Sequence, residues 1–221
     1  MAATVLVKVG PPQTKYTVQK AFLSHYSEYF RNAVNGSRKE VEEGTVVLND
    51  VETGMFNLFV DWIYAQKLPE YPTDWLVAAD CSCKPEKAVM HTNLLKIKLY
   101  FFATRFLVPR LRKLLNRAIV SNVRDGSCSP SIRTIIYAFG NLHATDPVLD
   151  YLVDARCTSD GTLHDSAEEK EMYGQLPHAF LVRYMERSTE IRVRGIKLKD
   201  LHICDYHDHE SEEKRERCQR G

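Results

Sequence analysis

The sequence predicts an α+β fold, in which a small sheet packs against a cluster of helices. Alternating apolar residues near the amino terminus indicate a β-hairpin over residues 4–19. From residue 22 onward, apolar residues recur mainly three and four positions apart, which is typical of amphipathic helices. Apolar residues make up 44% of the chain, which is enough for a substantial core.

The first half of the sequence predicts strands and helices in a definite order. Val5, Val7 and Val9 share one face of the first predicted strand, and Gly10-Pro11-Pro12 interrupts it before the hairpin resumes. The elements predicted after the hairpin are helical residues 22–34, a strand at residues 45–48 and a strongly amphipathic helix at residues 53–65.

Helices dominate the rest of the sequence. Residues 66–92 contain three prolines among charged residues, and they predict a long loop. Residues 93–106 are apolar on nearly every side, which predicts a helix buried in the middle of the fold. Further helices are predicted at residues 109–123, 132–139, 147–153 and 176–184.

This order of elements divides the chain into three segments. Residues 1–124 form the α+β domain, residues 125–203 form a helical extension, and residues 204–221 form a charged tail. The tail has few apolar residues and cannot bury enough surface to offset the entropy lost on ordering. We therefore expect the tail to be disordered.

Charge and cysteine content argue against several classes of function. Lys and Arg total 30 while Asp and Glu total 29, a balance that gives no electrostatic attraction for nucleic acid or for a membrane surface. The most apolar stretch, residues 94–106, is interrupted by charges and is too short to span a bilayer. The six cysteines are scattered and no signal peptide is evident, so we expect a cytoplasmic or nuclear protein with reduced thiols.

A set of residues on the predicted helices carries a family resemblance. It combines a Leu, a Ser and a Tyr-Phe pair with large apolar residues on the helix after the third strand. Its members are Phe22, Leu23, Ser27, Tyr29, Phe30, Phe56, Ile63 and Tyr64. This set, in this order of elements, resembles the BTB/POZ domain. The resemblance covers residues 4–124 and implies a three-stranded sheet clasped by helices, in which Ser27 caps the second helix of a pair.

The sequence is most similar to the BTB proteins of filamentous fungi. Those proteins often carry a Gly-x-x-x-Glu loop, matched here by residues 36–40, and a helix like the one at residues 147–154. The resemblance implies a module for protein–protein interaction that performs no catalysis.

The sequence departs from the family at positions that contact known classes of partner. Only three residues precede the first predicted strand, so we do not expect the strand-swapped homodimer of longer members. Cullin adaptors of the family carry an apolar residue two positions before a Glu, where this chain has Arg38, Lys39 and Glu40. Arg38 does not suit the apolar cullin pocket. Substrate recruitment to a cullin ubiquitin ligase is therefore the alternative function, with Arg38, Lys39 and Glu40 as its candidate contact loop.

An uncharacterised enzyme is the second alternative, and no motif supports it. The chain lacks a Gly-x-Ser-x-Gly elbow, a phosphate-binding loop and a dinucleotide-binding fingerprint. We therefore predict no catalytic residue and no cofactor.

Two groups of cysteine and histidine residues are candidates for metal binding. Cys81 and Cys83 with His91 form a poor set, because structural zinc sites favour a wider cysteine spacing and four ligands. Cys204, His207, His209 and Cys218 offer four ligands, but they lie in the predicted disordered tail, which only a bound metal would order. We therefore predict a solvated tail and no metal site.

Overall fold

The computed structural model describes residues 3–35, 45–121, 129–158, 165–197, 200–209 and 211–220. The chain forms two compact units, Met1–Arg112 and Lys113–Gly221, called here the amino-terminal and carboxy-terminal units. The predicted boundary lies at residue 124, after the whole helix that begins at Pro109. The structure divides the chain within that helix, α6 (Pro109–Val120).

The amino-terminal unit contains a three-stranded sheet of β1 (Thr4–Val9), β2 (Thr14–Gln19) and β3 (Thr45–Leu48). β1 is central; it pairs antiparallel with β2 and parallel with β3. Val5, Val7 and Val9 are buried on one face of β1, as their alternation predicted. The predicted hairpin, third strand and α+β fold class are confirmed.

A pair of short helices, α1 (Lys20–Tyr26) and α2 (Glu28–Asn35), follows the hairpin. Ser27 separates them with an extended backbone, at φ −128° and ψ 122°. Its hydroxyl donates to the carbonyl of Phe106 at 2.6 Å and accepts the N–H of Phe30 at 3.0 Å. Ser27 therefore caps α2, the role that the resemblance implied.

The prediction of a long loop over residues 66–92 is wrong. α3 (Thr53–Ala65) ends where predicted, but the segment after it contains α4 (Pro72–Ala78), a 3-10 turn (Pro85–Lys87) and the start of α5 (Ala88–Arg105). Pro72 begins α4, where its missing N–H costs no hydrogen bond. Trp75 is buried, and its indole N–H donates to the carbonyl of Pro69 at 2.9 Å. A proline that suggested a loop thus marks the start of a helix.

A cluster of phenylalanines forms the core of the amino-terminal unit. Phe30 stacks on Phe59 and on Phe106, with ring centroids 5.7 and 5.6 Å apart. Phe102 lies 5.1 Å from Phe59 and 4.4 Å from Phe106. All four rings are buried, so α2, α3 and α5 meet on one apolar cluster.

The carboxy-terminal unit is helical in its described part. Its main helices are α7 (Ile132–Asn141), α8 (Pro147–Thr158), α9 (Ala167–Glu171) and α10 (His178–Arg194). Ile135, Val153 and Phe180 form its buried apolar cluster, contributed by α7, α8 and α10. Among the described residues, no helix combines the length and the apolar character needed to cross a membrane.

The charged tail contains ordered elements where the sequence predicted disorder. Residues Ile203–Tyr206 form a 3-10 helix and Glu212–Arg220 form a final helix, α11. The hydroxyl of Tyr206 donates to Asp154, and its carbonyl accepts from the side-chain amide of Asn116. Polar contacts with the rest of the unit therefore hold this segment. The prediction of disorder was based on low apolar content, which does not register such contacts.

Candidate interaction surface and polar clusters

Most residues of the predicted BTB/POZ motif lie in the core. Leu23, Ser27, Phe30, Phe56 and Ile63 are buried. These side chains stabilise the fold and are not available to a partner. Any binding surface must therefore be made by exposed side chains elsewhere on the unit, where large apolar groups are informative.

Phe22, Tyr26 and Tyr64 form an aromatic patch on α1 and α3. The Phe22 ring lies edge-to-face against Tyr64 with centroids 5.0 Å apart, and parallel to Tyr26 at 6.5 Å. Tyr64 is 48% exposed, and the other two rings are partly exposed. Trp62 supports Tyr26 at 5.2 Å, while the Arg110 guanidinium lies 5.7 Å from the Tyr26 ring centre. Aromatic and Arg side chains of this kind are enriched in protein interfaces.

A second exposed surface lies where α4 approaches the start of α5. Val77 is 81% exposed and Val89 is 47% exposed. The open groove beside them, about 840 Å³ in volume, is lined by Thr73, Leu76, Val77, Asp80, Cys81, Ser82, Cys83, Lys84 and Ala88. Desolvation and the neighbouring Cys81 raise the pKa of the Cys83 thiol, which disfavours the thiolate needed for nucleophilic chemistry. The groove differs from the enclosed apolar cavities that bind small molecules.

An ion-pair cluster joins α8 and α10 in the carboxy-terminal unit. Arg187 donates to both carboxylate oxygens of Asp154, at 2.5 and 2.9 Å, and to Glu190 at 2.6 Å. The Tyr206 hydroxyl donates to Asp154 at 2.5 Å. Hydrogen bonds with Asp154 raise the pKa of Arg187, and burial raises the pKa of Tyr206. Because these donors occupy the Asp154 carboxylate, the cluster is suited to holding structure and not to proton transfer.

A second pair, Arg156 with Asp165, is buried in the same unit. The guanidinium of Arg156 donates to both carboxylate oxygens and also to the hydroxyl of Ser129 at 3.0 Å. Tyr173 donates to Asp165 at 2.5 Å. Burial alone would raise the pKa of Asp165, but hydrogen bonds from Arg156 and Tyr173 outweigh it and hold the pKa below its usual value. Asp165 is therefore a paired carboxylate at neutral pH.

Neither pair was predicted from the sequence. The available signal was on α8, where Asp154 and Arg156 lie among the mostly apolar residues 148–157. Charged residues are almost never fully buried unless they are paired, so charges on such a helix indicate buried partners. Spacing could not name those partners, because Arg187 and Asp165 are 33 and 9 residues away.

The candidate zinc ligands of the tail come together in the structure. Ligand atoms of Cys204, His209 and Cys218 all lie within 4.8 Å of one another. His207 lies beside them, with its Nδ1 3.2 Å from the Sγ of Cys218. The prediction of no metal site here rested on an expected disordered segment, and this segment is ordered in the structure.

Arg38, Lys39 and Glu40, the predicted cullin-contact loop, lie outside the described residues. Their role stays a prediction from the sequence. The expectation that no strand-swapped homodimer forms also stays a prediction.

Comparison with known families assigns the amino-terminal part of the chain. A family model described as BTB/POZ domain matches residues 2–81. A search of curated proteins finds no significant match. The matched residues contain all three strands and helices α1 to α4. The BTB/POZ domain is a protein–protein interaction module. Residues 2–81 of this chain therefore match the BTB/POZ domain, and the chain has the α+β BTB/POZ fold that its sequence predicted.

Proposed function

We propose that this chain is a non-catalytic protein whose BTB/POZ domain binds other proteins. The observation that carries the proposal is the match of residues 2–81 to the BTB/POZ domain, together with the three-stranded sheet and helix pair of that fold. The matched region supplies the fold, and the exposed side chains on it supply the specificity.

The aromatic patch is the proposed contact surface. Phe22, Tyr26 and Tyr64 present partly exposed rings from two neighbouring helices, and Arg110 adds a positive charge beside them. This chemistry fits a protein segment that presents an apolar side chain next to a carboxylate. The rings would bury the apolar side chain, and the guanidinium would pair with the carboxylate.

Two observations support the non-catalytic part of the proposal. The sequence contains none of the catalytic motifs considered above. The buried carboxylates of Asp154 and Asp165 are each held by an Arg and a Tyr. Perturbed groups of this kind also occur in structural ion-pair networks, so they do not by themselves indicate an active site.

Proximity labelling of the full chain in its native cell, followed by reconstitution with a purified partner, tests the proposal. We expect the Tyr64→Ala/Arg110→Ala variant to lose the main labelled partners and to weaken their affinity by about thirtyfold, the scale of an interface hot spot. Met185→Ala is the matched control, because Met185 is 69% exposed but lies in the carboxy-terminal unit. Unchanged binding by the patch variant would refute the contact surface. A wild type that enriches no protein over the labelling enzyme alone would refute the function.

Recruitment of substrates to a cullin ubiquitin ligase is the narrower alternative. The domain type supports it, whereas Arg38 argues against it because the cullin pocket needs an apolar residue at that position. We expect no cullin to co-purify with the wild-type chain. Direct binding of a purified cullin, abolished by Glu40→Ala, would favour the adaptor function instead.

We also propose that the protein acts in the cytoplasm or the nucleus. All five described cysteines are free thiols, as is usual for proteins in reducing compartments. Imaging of the tagged full chain measures this directly. Kinship with the BTB proteins of filamentous fungi stays a prediction, based on residues 36–40 and 147–154.

A further inference from the structure

Three side chains of the carboxy-terminal unit converge around one point, and a fourth lies beside them. Cys204 lies in the 3-10 helix, His207 and His209 follow it directly, and Cys218 lies on α11. The Sγ of Cys204 is 3.1 Å from Nε2 of His209, and Nδ1 of His207 is 3.2 Å from the Sγ of Cys218. The two His rings are 5.9 Å apart between centroids. The two thiols and the His209 imidazole therefore share one small volume, and the His207 imidazole borders it at Cys218.

This ligand set is that of a structural zinc site. Zinc in such sites has four Cys or His ligands at about 2.3 Å for sulfur and about 2.0–2.1 Å for nitrogen. A tetrahedron with those bonds has sulfur-to-nitrogen edges of about 3.6 Å. The observed sulfur-to-nitrogen distances of 3.1 and 3.2 Å lie within about 0.5 Å of that value. A small separation of the side chains would therefore admit the ion.

The backbone that carries the histidines is fixed by a buried amide. Asn116 is 1% exposed, and its side chain donates to the carbonyl of Tyr206 at 2.9 Å and accepts the N–H of Asp208 at 3.1 Å. These two bonds hold the residues on either side of His207. The hydroxyl of Tyr206 is anchored separately, on Asp154. Supporting contacts of this kind orient the ligands of metal sites.

The position of α11 also needs an explanation beyond apolar burial. The described side chains at residues 211–217 are exposed, and Cys218 is the first one on this helix that is not. A nine-residue helix is too short to be stable alone in water, and it requires tertiary contacts. Its contacts with the 3-10 helix and the residues after it include those of Cys204 with Cys218 and with the carbonyl of Arg215. Cys218 also contacts His207, and Arg215 forms an ion pair with Asp205. A metal ion at this point would attach the helix to the unit.

We propose that Cys204, His207, His209 and Cys218 bind one structural zinc ion, which attaches α11 to the carboxy-terminal unit. The two thiolates and two neutral imidazoles saturate a tetrahedral ion, so the site has no open position for a substrate. Binding releases the protons of the two thiols to solvent and involves no redox change.

Metal content of the full chain is the first test. After purification under reducing conditions without chelators, we expect about one zinc per chain. The Cys218→Ser and Cys204→Ser variants should lose it, with an affinity more than about a hundredfold weaker, since removal of an outer-shell partner alone costs about 10–100-fold. Cys83→Ser is the matched control and should retain the ion, because Cys83 lies in the amino-terminal unit. Cys218 lies on a mostly exposed helix, so we expect the Cys218→Ser variant to fold and to allow comparison with the wild type.

Two further measurements make the outcome decisive. Cobalt loaded into the wild-type chain should show thiolate charge-transfer bands and the intense visible bands of tetrahedral geometry, and Cys218→Ser should lack both. Zinc should also protect Cys204 and Cys218 from alkylation while Cys81 and Cys83 react, as read by peptide mass spectrometry. The proposal is overturned if the wild type holds no metal under these conditions. It is likewise overturned if Cys218→Ser binds zinc as tightly as the wild type, or if intact mass shows a Cys204–Cys218 disulfide in place of the ion.

Discussion

Every buried charged side chain among the described residues lies in the carboxy-terminal unit, whereas the buried polar side chains of the amino-terminal unit are Ser27 and Thr92. The amino-terminal unit is built on a phenylalanine cluster, which gains stability from apolar area removed from water. The carboxy-terminal unit adds buried charge pairs, such as Arg156 with Asp165, to a smaller apolar cluster.

This difference has consequences for how the two units respond to substitution. Apolar burial has no preferred direction, so a core of phenylalanines tolerates exchanges that preserve volume. A buried charge pair requires both members in one geometry, and removal of one leaves a charge unpaired in a poorly solvated place. The amino-terminal unit should therefore be sensitive to lost volume and the carboxy-terminal unit to lost charge.

The largest effect is expected from Phe30→Ala in the amino-terminal unit. Phe30 is fully buried and contacts Phe59 and Phe106, so its truncation should lower the free energy of unfolding by about 3–5 kcal/mol. Both tryptophans, Trp62 and Trp75, lie in this unit, so denaturant unfolding followed by tryptophan fluorescence measures it selectively.

The control for that variant is Val77→Ala, at a side chain that is 81% exposed. We expect a change of less than about 0.5 kcal/mol, as is usual for surface substitutions. Equal effects of the two variants would contradict the assignment of the phenylalanine cluster as the core.

In the carboxy-terminal unit, Asp165→Leu should cost about 3–5 kcal/mol, because Arg156 is then buried without its partner. Hydrogen exchange of peptides from α8, read by mass spectrometry, reports this unit. The double variant Arg156→Met/Asp165→Leu should recover most of the loss, since an apolar replacement of a whole buried pair is often near neutral. A double variant no more stable than the single one would show that the pair stabilises the unit beyond satisfying its own charges.

A smaller effect is expected where α3 approaches the end of α4. A Cβ at Gly54 would lie 2.4 Å from the carbonyl oxygen of Ala79, closer than backbone atoms allow. Gly54→Ala should therefore destabilise the amino-terminal unit by about 1–3 kcal/mol, measured by tryptophan fluorescence. Gly140→Ala is the matched control, because a Cβ there meets nothing within 4 Å. It should stabilise α7 by up to about 1 kcal/mol, read by hydrogen exchange of α7 peptides.

Much of the amino-terminal unit could be predicted because its buried apolar residues recur in the sequence at the spacing of a strand or a helix. The alternation of Val5, Val7 and Val9 gave the first strand, and the three- and four-residue spacing over residues 53–65 gave α3 with its correct bounds. The error at Pro72 has a local cause. Proline breaks a helix when it lies in the interior but is tolerated in the first turn. The spacing of apolar residues alone does not distinguish these two positions.

The polar clusters of the carboxy-terminal unit could not be predicted in the same way. Tyr206 reaches Asp154 across 52 residues, and Asn116 reaches Tyr206 across 90. Such contacts leave no periodic pattern in the sequence. The segment that they order was therefore predicted to be a solvated tail. The four candidate ligands were visible in the sequence at residues 204–218, but their convergence depends on those long-range hydrogen bonds.

The smallest effect tests how a single hydrogen bond sustains the Arg156–Asp165 pair. Tyr173→Phe removes one donor from the Asp165 carboxylate and should cost about 0.5–1.5 kcal/mol at neutral pH. Because the folded pKa of Asp165 is below its usual value, its contribution is present above the ordinary Asp pKa of about 3.9 and is lost as pH falls through the lowered folded pKa.

The difference between the wild type and Tyr173→Phe should therefore shrink as pH falls from about 7 to about 3, measured by urea unfolding followed by circular dichroism. Tyr71→Phe, in the amino-terminal unit, should show no such trend. A difference that stays constant with pH would mean that the Tyr173 hydroxyl stabilises the unit independently of the charge on Asp165. The carboxy-terminal unit would then depend on its buried charges less than the comparison with the amino-terminal unit implies.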